Sequence, residues 1–154
     1  MDYDIAAAAA AVALGDQDRA RQGLQEILRL KDSATLRIAL ARVASQTAAH
    51  VDVVAEGERA LVLDPLLSDP AVIDMVARSY LALARPVDAE RWVRHALARG
   101  QTVRATSVLR VTLAEALRDQ SRIGEAVAVL DEALVNWPDN EAARALRAEL
   151  APPR

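Results

Sequence analysis

Apolar positions along this chain recur every three or four residues, the period of amphipathic helices, and no stretch alternates as a strand would. The clearest segments are residues 108–117 and 123–135, separated by a short polar joint at 118–122. Pro138 follows and stops the second, because proline cannot continue a helix. The pattern predicts a paired arrangement along most of the chain. Helices are expected at 4–14 and 19–30, at 34–45 and 52–63, and at 71–84 and 86–99. A last helix is expected at 141–150, with residues 151–154 as a tail. Asp52 reads as the N-cap of 52–63, Thr106 or Ser107 as that of the 108–117 helix, and Asp139 or Asn140 as that of the last. The apolar face of the last helix reads as Ala142, Ala145, Leu146 and Leu150.

Within the clearest pair, small residues stand at Ala114, Ala126 and Ala133, where two helices cross closely. Large apolar residues stand between them at Leu113, Leu117, Leu130 and Leu134. This hairpin resembles one tetratricopeptide repeat. The family's small positions match Ala114, Ala126 and Ala133, its large ones Leu117 and Leu130, and its proline Pro138. The chain departs from the family at Arg110, where a tryptophan is usual, and at Ser121, where a glycine is usual. The first pair matches through Ala8, Gly15, Ala20, Leu24 and Ile27, and the third through Ala77, Tyr80, Ala89, Val93 and Ala96. The second pair matches at Ala41, Ala44, Ala60 and Pro65 but puts Gly57 at a usually large position. Its second helix is therefore expected to be displaced or mobile. The equivalent positions Ala20, Val53, Ala89 and Ala126 are 33, 36 and 37 residues apart, against a family period of about 34.

The resemblance implies an all-α fold: a right-handed α–α superhelix of four hairpins (1–33, 34–69, 70–106, 107–140) and a capping helix, 141–150. These make one domain, 1–150. Trp92 is expected to pack inside it.

Composition agrees. The chain is 53% hydrophobic but only 3% aromatic, so alanine and leucine, both helix formers, carry the apolar content. A net charge of -3 gives no electrostatic footprint for nucleic acid or for membranes. Residues 6–14 are apolar but too short to span a bilayer. Acidic Asp2 and Asp4 stand where a secretory leader carries positive charge, which points to the cytoplasm. There is no cysteine, hence no thiol chemistry. His50 and His95 fall in different repeats, so no metal site and no serine triad is expected. Neither a glycine-rich phosphate cradle nor a G-x-S-x-G turn occurs. The reading is of a chain that is not an enzyme and carries no cofactor.

What remains is a surface. In the resembled family the first helix of each hairpin lines a concave groove. Carried over, the lining is Asp2, Ile5, Ala9, Val12 and Ala13, then Thr35, Ile38, Arg42, Ser45 and Gln46. It continues with Ala71, Asp74, Arg78, Leu81 and Ala82, then Val108, Val111, Glu115, Arg118 and Asp119. Arg42, Arg78 and Arg118 have the fork geometry to meet a partner's carboxylates, unless Asp74, Glu115 and Asp119 satisfy them first. The lysine-and-asparagine clamp by which some family members hold a terminal carboxylate is not reproduced. The expected function is a non-catalytic scaffold that binds a peptide or helix of a partner protein. Alternatives are a homo-oligomer such as a homodimer, packing through Ile5, Ala9 and Val12, or a bacterial secretion chaperone with a dedicated client.

Overall fold

The computed structural model describes residues 15–150, apart from the side chain of Leu30. The expected helix 4–14, with Asp2, Ile5, Ala9, Val12 and Ala13, lies outside the described residues, as does the tail. Eight helices and no strand are found among the described residues. The chain divides into two compact units, Met1–Leu67 and Ser68–Arg154.

The first unit contains α1 (Gln17–Leu30), α2 (Ala34–Gln46) and α3 (His50–Leu63). Asp16 caps α1 by accepting from the Arg19 N–H, and Ser33 caps α2 by accepting from the Leu36 N–H. Ala20, Leu24, Leu36, Leu40 and Val43 form a buried cluster, with Ile27, Leu28 and Ala39 against it. Burying each large side chain is worth about 2 kcal/mol. α3 differs from expectation at its start. It begins at His50 after Ala49, which offers no side-chain cap; Asp52 lies in its first turn and pairs with Arg21 instead. The helix also runs unbroken through Gly57, which is buried beside Val53, Val54 and Ala60. The glycine leaves α3 a buried face made only of small and medium side chains. Arg37 bonds to Asp32 at 2.7 and 2.8 Å and to Glu56 at 2.9 Å, joining α2 to α3.

The second unit contains α4 (Pro70–Ala82), α5 (Pro86–Leu97), α6 (Val103–Asp119), α7 (Ile123–Asn136) and α8 (Glu141–Leu150). Pro70 and Pro86 open their helices, where the missing N–H costs nothing. Each helix packs on the next, and α4 also touches α6 as α6 touches α8. The unit is thus two layers, α4–α6–α8 against α5–α7. Ile73, Tyr80, Trp92, Val93, Leu109, Leu117 and Leu130 are buried in this unit, together with the small residues Ala77, Ala89, Ala114, Ala126 and Ala133. Trp92 is 0% exposed, as expected of a packing residue.

α6 starts earlier than its sequence suggests. Its N-cap is Thr102, accepting from the Ala105 N–H, so neither Thr106 nor Ser107 is the cap. Ser107 is buried instead, donating to the Ala133 carbonyl at 3.1 Å. The buried residues of α8 are Ala143 and Leu146, while Ala142 and Ala145 face outward. An alanine-rich helix has too little apolar contrast to show its inner face. The hairpin joints each turn on one residue with positive φ: Gly15 at 78°, Ala48 at 53°, Ala84 at 55° and Ser121 at 63°. Where glycine is usual, Ser121 thus adopts the left-handed conformation itself.

Candidate functional site

The first-helix layer of the second unit, α4–α6–α8, carries half of the predicted groove residues. Asp74, Arg78 and Leu81 stand at spacings of four and three on α4, hence on one stripe. Val111, Glu115 and Arg118 repeat that spacing on α6. Arg78 Nε donates to Asp74 Oδ2 at 2.9 Å, and its Nη1 donates across to Glu115 Oε2 at 3.3 Å. Arg118 Nε donates to Asp119 Oδ1 at 3.0 Å, and its Nη1 faces Glu149 Oε1 of α8 at 3.6 Å. Buried Thr112 donates to Asp74 Oδ1 and fixes the carboxylate from behind. The result is a ladder, Asp74–Arg78–Glu115 and Asp119–Arg118–Glu149, along three helices.

The electrostatics follow the geometry. Burial is the main cause that holds the Glu115 carboxyl above its ordinary pKa; Arg78 and Arg118 pull it down, and Asp74 and Asp119 add to the rise. Burial acts most strongly on Arg78 and would lower its pKa. Asp74 and Glu115 together outweigh it, so the guanidinium is held more firmly charged. Arg118 is likewise held charged, chiefly by its bond to Asp119.

Not every predicted residue serves this surface. Val111 is 4% exposed and belongs to the core, so it is removed from the lining. Leu81 is partly exposed and Val108 exposed, giving the ladder an apolar border. Ile38 and Arg42 lie on α2 in the first unit, half-buried and exposed respectively. Ile5, Ala9 and Val12 lie outside the described residues. Two contributors were not foreseen. Nothing in the sequence pattern around Thr112 marks it. Glu149 stands 34 residues after Glu115, one repeat period, so treating the last helix as a fifth first helix would have found it.

A second polar cluster clasps the two hairpins of this unit. Glu90 on α5 accepts from Gln120 at 2.8 Å, from Arg122 at 2.7 Å and from Arg94 at 2.7 Å. Burial acts most strongly on Glu90 and would raise its pKa; Gln120, Arg94 and Arg122 together overcome it and hold the carboxyl below its ordinary value. Among the described residues, no three His, Asp or Glu side chains are arranged to hold a metal, and no helix is long and apolar enough to cross a membrane.

No protein-family model matches the chain, and no curated protein matches it. Solved structures do. MamA 41-end from Desulfovibrio magneticus RS-1 is similar at TM-score 0.83 and 12% identity, covering 97% of this chain and 82% of its own. YrrB, described as a TPR protein with an unusual peptide-binding site, is similar at TM-score 0.81 and 16% identity, covering 96% and 74%. The first TPR of Spaghetti (RPAP3), bound to the HSP90 peptide SRMEEVD, is similar at TM-score 0.67 and 16% identity, covering 77% and 90%. The chain therefore has a tetratricopeptide-repeat-like, all-α fold.

Proposed function

We propose that the chain is a non-catalytic protein-interaction scaffold that holds an extended segment or a helix of a partner protein against its first-helix faces. The observation that carries this is the α4–α6–α8 face itself. It joins ordered charges at Asp74, Arg78, Glu115 and Arg118 to exposed apolar surface at Val108 and partly exposed surface at Leu81. Interfaces combine these two elements: apolar area supplies affinity and fixed charge supplies register. The peptide carried by the first TPR of Spaghetti, and the peptide-binding site described for YrrB, support the same use of this fold. Affinity capture from the source cells tests the assignment, comparing the natural chain with Arg42→Ala and Arg78→Ala. Loss of a specific partner is expected. Recovery of every partner unchanged by both substitutions would remove the first-helix faces as the binding surface.

A further inference from the structure

We propose that the α4–α6–α8 face accepts a basic segment of its partner, one bearing lysine or arginine, and disfavours an acidic one. The inference rests on the reading of this face as a peptide-binding surface, and it concerns the polarity of what binds. From sequence, the groove arginines looked ready to receive a partner's carboxylates. In the structure they are engaged from within: Arg78 by Asp74 and Glu115, Arg118 by Asp119 and Glu149. Four carboxylates thus stand against two guanidinium groups in this ladder. An incoming carboxylate would have to displace an internal one and face the rest. An incoming ammonium or guanidinium meets acceptors with capacity to spare, since each carboxylate oxygen takes more than one donor. Glu149 meets Arg118 only at 3.6 Å, too long for a good hydrogen bond, and its side chain is 63% exposed.

Three further features agree. Glu115 is held between Arg78 and Arg118 in a partly buried position where burial disfavours its charge, so a further cation nearby is favourable and a further anion is not. Thr112 anchors Asp74, so that carboxylate is in place before a ligand arrives. Leu81 and Val108 offer apolar surface for the aliphatic stem that lysine and arginine carry beneath the charge.

Selection from a randomised peptide-display library on the full chain tests this, with Glu149→Lys and Arg78→Ala chains run beside it. Glu149 is exposed, so its reversal leaves the fold intact, which circular dichroism checks. Enrichment of lysine and arginine is expected. A synthetic peptide made from the enriched sequences should bind Glu149→Lys about tenfold more weakly and should weaken as salt is raised. Enrichment of aspartate and glutamate that Arg78→Ala abolishes would overturn the charge assignment while leaving the peptide-binding face standing. Enrichment of nothing, or of sequences indifferent to both substitutions, would remove the peptide-binding face and this proposal together.

Discussion

Asn140 and Ser107 share a buried hydrogen bond, Nδ2 to Oγ at 2.9 Å, which fastens the start of α8 to α6. Asn140 Oδ1 also accepts from the Ala143 N–H at 3.1 Å and so caps α8, while the Ser107 hydroxyl donates a hydrogen bond to the Ala133 carbonyl of α7. One amide and one hydroxyl thus join three helices.

Removing either should be costly. Asn140→Ala loses the cap and the buried bond, for about 2 kcal/mol. Ser107→Ala leaves the Asn140 amide and the Ala133 carbonyl without their partner, for about 1–3 kcal/mol. Urea unfolding, together with hydrogen exchange of the α8 amides, measures both. Midpoints equal to that of the natural chain would show that water replaces these bonds at little cost.

The hairpin joints offer the opposite sign. Ala48, Ala84 and Ser121 are exposed and left-handed, a conformation that costs an L-residue roughly 1–2 kcal/mol. Ala84→Gly and Ser121→Gly should each stabilise by about 0.5–1 kcal/mol after the extra flexibility of unfolded glycine is counted. Gly15→Ala should destabilise by about 1 kcal/mol, although none of the described residues lies within 4 Å of the added methyl, because the penalty is in φ and not in space. Thermal or urea midpoints decide it; a less stable Ala84→Gly chain would be the contrary result.

These joints also show how far the sequence could be read. The close-packing alanines and their leucines were legible because size at a helix crossing admits few alternatives: Ala114, Ala126, Ala133, Leu117 and Leu130 are all fully buried. The cap of α6 was not legible. Thr102, Thr106 and Ser107 all carry hydroxyls near the helix start, and burial of Ser107 depends on α7 and on Asn140, both distant in sequence. The groove stripe on α4 and α6 was legible from spacing, but not which charges would pair across it. Arg78 reaches Glu115 only because α4 and α6 lie side by side, and Val111 is lost to the core for the same reason.

Two carboxylates should pull the pH profile of stability in opposite directions. Glu90 has its folded pKa lowered, so the unfolded chain binds more protons in that interval; its contribution is present above the ordinary value and is lost as pH falls through the folded one. Glu115 has its folded pKa raised, so the folded chain binds more protons; stability falls as pH rises from the ordinary value through the folded one. Glu90→Gln should therefore flatten the acid limb and lower stability at neutral pH. Glu115→Gln should remove the decline that follows. Urea midpoints taken across the acid range give both slopes, and parallel profiles for the two variants would contradict the assignment.

α3 should be the softest of the second helices described. Its buried residues are Val53, Val54, Gly57 and Ala60, whereas α5 buries Trp92 and Val93, and α7 buries Leu130. Local opening follows the apolar contact that must be broken. Amides of α2 and α3 are expected to exchange faster than those of α4 to α7. Hydrogen exchange followed by mass spectrometry measures this, and equal protection across these helices would show that small side chains hold α3 as firmly as large ones.

Trp92 and Trp137, the chain's two tryptophans, both lie in the second unit and in unlike surroundings. Trp92 is sealed among α5 and its neighbours, while Trp137 sits partly covered by the Arg104 guanidinium, 4.8 Å from its ring. Their emission is thus a built-in optical label for one half of the molecule, with a shielded lamp and a half-open one that quenchers and wavelength tell apart. The helical signal in circular dichroism comes from both halves. Recording the two on one sample therefore separates the melting of residues 68–154 from that of the preceding unit without attaching any dye.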